Sequence, residues 1–374
     1  MSCLMKNDRE EESPAAIDET ACSQCGAKLN FVPGTSSLKC PYCGIEMPVP
    51  QSEKRVVELD YRDFLEKAIQ EKESSEAQII KCDRCGAETT MPAETVAGIC
   101  PFCGANMVFS ESASHPIKPD SLLPFQISQR NAFANFSRWI KKLWFAPGDL
   151  KHYARSESKL AGVYVPFWTY DSNTVTSYQG MRGDYYYTTE TYTAMENGRS
   201  VTRTRQVRHT RWTPVSGTVF NAFDDILILA SRSLPKKYAD RLEPWDLDHL
   251  VPYKDAFLSG FRAESYQVSL PQGFEAAKEA MEPVIRTSIR HDIGGDEQQI
   301  HSAHTQYRDI TFKHILLPVW LSAYRFREKI YRILINARTG EVQGERPYSA
   351  WKIAGAVLLG LAIAGIIILI RIYK

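Results

Sequence analysis

Four Cys-x-x-Cys pairs, arranged as two copies of one layout, constrain this chain more than any other feature. Cys22-Ser-Gln-Cys25-Gly26 precedes Cys40-Pro-Tyr-Cys43-Gly44, and the pattern returns as Cys82-Asp-Arg-Cys85-Gly86 and Cys100-Pro-Phe-Cys103-Gly104, each cysteine displaced by sixty residues. Two facing knuckles supply four thiolates in the tetrahedral arrangement of a closed structural zinc site. The expectation is two Zn2+ ions, one held by Cys22, Cys25, Cys40 and Cys43 and one by Cys82, Cys85, Cys100 and Cys103. A rubredoxin-like iron site uses the same ligands and is the alternative. Ribbons of this size, over 21–50 and 79–110, cannot bury enough apolar surface to fold alone, and zinc binding of about 10–16 kcal/mol per site supplies the difference. Thiolate sites need a reducing compartment, which favours the cytosol. Cys3 is left over as a free thiol.

The other end of the chain is equally distinctive. From Ile353 to Ile370, eighteen consecutive residues lack a polar side chain, between Lys352 and Arg371. As a helix this run is about 27 Å long, close to the ~30 Å hydrocarbon core of a bilayer. A buried core helix normally keeps a polar stripe, and this one has none. A transmembrane helix over 351–371 is therefore expected, followed by a short tail, 372–374. Trp351, Tyr348 and Tyr373 would lie at the interfaces. Ala356, Gly360 and Ala364 recur every four residues and offer a close-packing face for a homo-oligomer. Residues 1–20 are polar and acidic and read as a disordered tail without a signal peptide. The expected place is the cytoplasmic (inner) membrane, single-pass, with the N-terminal bulk in the cytosol.

Net charge is +1, but residues 1–110 carry 11 Lys and Arg against 18 Asp and Glu. A phosphate-binding surface needs clustered cations, so nucleic acid is a poor partner for this head and protein a better one. Between the ribbons, 51–78 holds an amphipathic helical pattern from Val56 to Glu73, with Val57, Tyr61, Phe64, Leu65, Ala68 and Ile69 on one face. It reads as a spacer packed on a ribbon or the body, or as a partner-binding helix.

Residues 111–124, with Pro116, Pro119 and Pro124, read as an extended linker before a body over 125–350. Ser128 can cap a helix bearing Phe133, Phe136, Ile140 and Leu143. Strands begin at Val163; 174–192 and 201–212 read as a hairpin around Asn197-Gly198, and 218–230 as further strands. Helical stretches are expected at 235–242 and 274–290, the latter broken at Pro283, then strands at 298–313, 315–326 and 329–336. The class is mixed α+β with antiparallel sheet. Side chains alternate along a strand, so Arg203, Arg205, His209 and Arg211 share a face, which could meet lipid headgroups, RNA or a partner protein, or pair with Asp184 and Glu190. Tyr164-Val-Pro166-Phe-Trp168 and Leu316-Leu-Pro318-Val-Trp320 hint at two related β-units.

No phosphate loop, dinucleotide fingerprint, nucleophile elbow or HExxH helix is present, so no enzyme is expected. His291, His301, His304 and His314 with Asp292 and Asp296 form the one cluster resembling a site. On a strand His301 and His304 point to opposite faces and would not share a metal.

The cysteine pairs, followed by VYVPFWTYD, SGTVFNAFDDILILAS, FLSGFRAESY, KHILLPVWLSAYRF and ILINARTGEVQGERP, resemble a bacterial family of tail-anchored zinc-ribbon membrane proteins, over roughly residues 20 to 351. Its members often carry labels borrowed from primosomal helicases or transcription-factor-IIB-like ribbons; the helicase label lacks its nucleotide site here. Where the family has Asn-Gly-Gln-Thr-Gly, this chain has Asn336-Ala-Arg-Thr-Gly340. The resemblance implies a membrane scaffold that docks cytosolic proteins of the stomatin/prohibitin (SPFH) and phage-shock-protein-A types during envelope stress. A membrane-tethered nucleic-acid binder using the basic stripe is the second reading.

Overall fold

The structure, a computed structural model, describes residues 21–49, 55–70, 77–82, 87–90, 97–102, 106–108, 111–114, 117–145, 160–196, 199–326, 329–345 and 349–372. In chain order the elements are β1 (Asn30–Phe31), β2 (Ser37–Lys39), β3 (Glu46–Pro48), β4 (Leu59–Asp60), α1 (Tyr61–Gln70), β5 (Ala77–Lys81), β6 (Glu88–Thr90), β7 (Ala97–Ile99), β8 (Asn106–Val108), β9 (Glu111–Ser114) and β10 (Ser121–Leu122). Next come α2 (Gln129–Lys142), β11 (Ala161–Glu196), β12 (Arg199–Leu229), α3 (Lys236–Ala239), β13 (Val251–Pro252), α4 (Asp255–Leu258) and β14 (Arg262–Ala263). The chain closes with α5 (Leu270–Ile293), β15 (Glu297–Phe326), β16 (Lys329–Asn336), β17 (Val342–Gly344) and α6 (Ala350–Ile372). The class is mixed α+β with antiparallel sheets.

Three long strands carry the body. β11 and β12 form an antiparallel hairpin from Phe167↔Leu229 out to Glu196↔Arg199. β15 pairs with the other side of β11 from Ala161↔Leu321 to Gly183↔Glu297. Beyond Gly183 the hairpin continues as a two-stranded arm, about 43 Å long at ~3.3 Å per residue. The segmented strands expected at 163–171, 174–192, 201–212 and 218–230 are thus two continuous ones. The apparent break is a bulge: the register shifts between Tyr170 and Ser172, Asp225 takes φ 51°, and its N–H donates to Asp171 Oδ1 at 2.6 Å. An extra residue absorbed this way bends a strand without ending it.

The echoed Pro-x-Trp segments lie side by side and are related by an approximate two-fold axis. Tyr164 pairs with Pro318 and Pro166 with Leu316, while Gly162 faces Trp320 and Trp168 faces His314. Each proline occupies the gap where one neighbour strand stops and the next begins. β14 pairs with residues 163–164 and β12 begins at Phe167; β10 pairs with residues 315–316 and β16 begins at Val319. A missing N–H costs nothing in such a gap. The carbonyls match as well: Pro166 O accepts from Ala230 N and Pro318 O from Ala337 N, both at 3.0 Å. Two copies of one β-unit build this sheet.

α5 covers one face of the long strands. Ser269 N donates to Gln272 Oε1 at 3.2 Å at its start, and Phe274, Ala277, Met281, Ile285, Ile289 and Ile293 are buried. The break expected at Pro283 does not occur. An interior proline costs about 3 kcal/mol, and the buried apolar stripe on either side of it outweighs that cost. Gly273 lies so close to Tyr170 and Trp168 that a Cβ there would collide with both.

Two stretches read as connectors belong to this body. The helix expected over 56–73 begins at Tyr61, because Leu59 and Asp60 pair with Phe312 and Thr311 as an edge strand; it is described as Tyr61–Gln70, and 71–73 lie outside the described residues. Tyr61 and Phe64 then pack on Phe274 and Phe312 with ring centroids 5.0 and 5.1 Å apart, the packed-spacer alternative. The linker expected over 111–124 holds β10, parallel to β15, with Ser121, Leu122 and Leu123 fully buried. Its partners β13 and β15 lie about 130 and 194 residues downstream, beyond the reach of local pattern. Ser128 caps α2, its Oγ accepting from Asn131 N; of the expected face Phe136, Ile140 and Leu143 are buried and Phe133 is half-buried, while Ala132, outside that set, is buried as well. Residues 351–371 of α6 are all exposed, and Trp351–Arg371 is long and apolar enough to cross a membrane.

Candidate metal centre

The two knuckles of the first ribbon are built alike. Gly26 N donates to Cys22 O at 2.8 Å and Gly44 N to Cys40 O at 3.1 Å. Both glycines take positive φ, 72° and 76°, which lets the loop close tightly behind the sulfurs. Sγ separations are 3.5 Å for Cys22–Cys43 and Cys25–Cys40, and 3.8 Å for Cys25–Cys43. Tetrahedral Zn–S bonds of ~2.3 Å set sulfurs about 3.8 Å apart, so the spacing fits a metal ion. Cys22 and Cys40 are buried, Cys25 and Cys43 exposed.

Electrostatics argue the same way. The Cys43 amide is the largest influence on Cys40 and pulls its thiol down to about 6. At Cys25 the Ala27 amide pulls down, but hydrogen bonds with Cys40 and Cys22 prevail and push it up to about 12. Burial resists ionisation of Cys22, yet the amides of Gln24 and Cys25 leave it lowered. Cys43 is raised: the Ile45 amide pulls down, while burial and the sulfurs of Cys40 and Cys22 push up. Four thiolates this close ionise together only around a cation.

In the second ribbon, Cys82 and Cys100 are buried, and Cys82 N donates to Ala87 O at 2.8 Å, as Cys22 N does to Ala27 O. Cys85 and Cys103 lie outside the described residues. The aromatic between the last two cysteines differs sharply between copies. Phe102 is 0% exposed, in a core with Leu123, Val163, Val165 and Leu334, and its carbonyl accepts from Arg332 Nε at 2.9 Å. Its counterpart Tyr42 is 84% exposed. The ribbon bearing Tyr42 is itself fixed to the body. Phe31 packs on Phe257 at 5.3 Å, Gly34 N donates to Phe125 O at 2.9 Å, and Ser259 Oγ donates to Leu29 O.

The basic stripe lies on the arm and is engaged there. Arg205 pairs with Glu190 at 3.0 Å and lies over Tyr192, His209 Nε2 is 2.8 Å from Thr188 Oγ1 and stacks on Tyr186, and Arg211 lies over the same ring. Arg203 stands opposite Tyr192 in the register. Asp184 pairs with Arg182. The histidines do not converge. His301 lines a groove beside α5, His304 lies on the opposite face near Ser177 and Thr218, and His314 is buried against Trp168 at 4.5 Å. Asp292 accepts from Tyr178 Oη at 2.6 Å and Asp296 from Tyr185 N at 2.6 Å. Ala356, Gly360 and Ala364 are exposed on α6.

One cluster escaped sequence reasoning. Carboxylate oxygens of Glu58, Asp171 and Asp224 lie within 4.8 Å of one another, a grouping that can suggest a cation site. The cation beside it is Lys313, buried, with Nζ 3.0 Å from Glu58 and 2.7 Å from Asp225. Burial pushes Asp171 up to about 6, while Glu58, hydrogen-bonded to it, is lowered. The available signal was a lone lysine opening the otherwise buried run to Trp320.

No protein-family model matches the chain. Over 341 residues it is 26% identical to the uncharacterized protein YdjG of Bacillus subtilis (strain 168), covering 89% of this chain and 91% of that protein. No solved structure matches.

Proposed function

We propose that this chain is a membrane-anchored scaffold that recruits cytosolic protein partners to the inner membrane. In this reading α6 is its single span, two zinc ions hold its ribbons, and it carries out no chemistry of its own. The observation that carries the proposal is the unequal fate of one duplicated aromatic. Phe102 plugs an apolar socket in the body, and Arg332 braces the knuckle carbonyl. Tyr42 occupies the same place in a ribbon of the same design and faces solvent. An exposed aromatic on a ribbon fixed to the body is the kind of anchor that dominates protein interfaces when it fills a partner's pocket. The partners implied by the resemblance are proteins of the SPFH and phage-shock-protein-A types. Two members of the basic stripe are engaged inside the hairpin, Arg205 with Glu190 and His209 with Thr188, which weighs against the nucleic-acid reading.

The test is affinity purification of the full chain from solubilised membranes, wild type beside Tyr42→Ala, with SPFH-type and phage-shock-protein-A-type proteins and zinc measured on the same samples. Partner recovery is expected to fall while zinc content holds. Undiminished recovery with the alanine variant rejects Tyr42 as the docking point.

A further inference from the structure

The end of α2 carries two large apolar side chains at the surface, and it meets the root of α6. Trp144 is 79% exposed and Phe145 also lies open. Both are tied to the anchor's first turn through their backbones. Ser349 N donates to Phe145 O at 2.8 Å, Ile353 N to Ser349 O at 3.1 Å, and Lys352 Nζ to Trp144 O at 3.2 Å. Trp351, at the start of the apolar segment, is 89% exposed. Lys141 and Lys142 precede Trp144 and face solvent.

These contacts fix a depth. A segment of 21 residues is about 31 Å long as a helix, which places Trp351 and Arg371 at the two edges of a ~30 Å hydrocarbon layer. Phe145 O accepts from Ser349 N, two residues before Trp351, and Trp144 O accepts from Lys352 Nζ, so this end of the body stands within about one helical turn of the Trp351 level. Tryptophan favours that level, where its ring is apolar and its N–H finds water or headgroups, and lysines beside it attract anionic lipid.

We infer that the C-terminal end of α2, through Trp144, Phe145, Lys141 and Lys142, is a second membrane contact that seats the body on an anionic lipid surface beside the anchor. This rests on α6 crossing a bilayer. Two contacts at separate points of the chain fix the tilt of the body, which a single flexible tether leaves free. The same α2 packs its inner face in the core that holds Phe31 and Cys40 of the first ribbon, so the seat also sets the direction in which Tyr42 points.

The experiment places the photoreactive residue p-benzoylphenylalanine at position 144 of the full chain, reconstituted in vesicles of phosphatidylethanolamine and phosphatidylglycerol. Positions 366, within the span, and 220, an exposed phenylalanine on the sheet, serve as comparisons. After irradiation, phospholipid adducts are expected at 144 and 366 and several-fold fewer at 220. Changing Lys141→Glu with Lys142→Glu should lower the yield at 144 several-fold and leave 366 unchanged. Lipid adducts at 366 with none at 144, or with protein adducts at 144 to a second copy or another chain, overturn the inference and leave the anchor standing. No lipid adduct at either position overturns both.

Discussion

The two aromatic knuckles can be compared directly, because one motif has been placed in two environments. Phe102→Ala removes a fully buried ring. A buried aromatic covers roughly 150–250 Å² of apolar surface, which at ~25 cal/mol per Å² is about 4–6 kcal/mol; the alanine methyl retains part of it, and measured truncations cost about 3–5 kcal/mol. The Arg332 hydrogen bond goes to the main-chain carbonyl and survives the change, so the loss read here is that of the ring alone. Tyr42→Ala removes a ring already in water and should stay within about 0.5 kcal/mol of wild type. Urea unfolding of the full chain in detergent, followed by circular dichroism, reads both, and limited proteolysis of the second ribbon reports local release. Phe102→Ala should be strongly destabilised with partner recovery falling only as the fold fails, and Tyr42→Ala should be stable but unable to recruit. If the two variants lose equal stability, or if Phe102→Ala costs less than about 1 kcal/mol, the assignment of one knuckle to the core and the other to a partner is wrong.

Cys40→Ser should lower bound zinc by one equivalent, read by metal analysis, and a strong chelator should unfold the first ribbon while leaving the long hairpin's circular dichroism in place. His314, held down to about 4 by burial, stays neutral in the folded chain while the unfolded chain protonates near 6.5. Stability is therefore full above that value and falls as pH drops from about 6.5 toward 4, by at most ~3 kcal/mol, and His314→Phe should flatten that slope. Lys313→Met leaves Glu58 and Asp225 facing one another without their cation. The expected cost is about 1–3 kcal/mol, discounted because Glu58 is half-exposed, and Glu58→Gln in the same chain should recover part of it.

Features governed by neighbours in sequence were legible. The first ribbon's knuckles follow from cysteine spacing, the long apolar helix α6 from an unbroken apolar run, and the α2 start from Ser128. The echo of Pro166 and Pro318 pointed to the paired units, although nothing local revealed that they pair with each other. What escaped depends on distant partners. A bulge at Asp171 and a strand break look alike until Asp225 is seen donating across to it. Pro283 reads as a stop unless the buried stripe of α5 is weighed against it. Tyr42 and Phe102 sit in the same motif, and only Val163, Leu334 and Arg332, far along the chain, decide which one is covered.

The arm beyond Gly183 has a further consequence if the chain is held on a membrane surface as proposed. With β15 beginning at Glu297 and Tyr185 N taken by Asp296, the described residues of the arm have no strand beside β11 over 186–196 or beside β12 over 199–211. Bare edges invite annealing between molecules, and crowding in two dimensions raises the encounter rate. Two copies brought edge to edge along β12 would set Arg203, Arg205, Arg208 and Arg211 of one against the same residues of the other. Arg205 is held by Glu190, and repulsion among the remaining cations would oppose such annealing; amide exchange is expected to quicken from Gly183 toward Glu196.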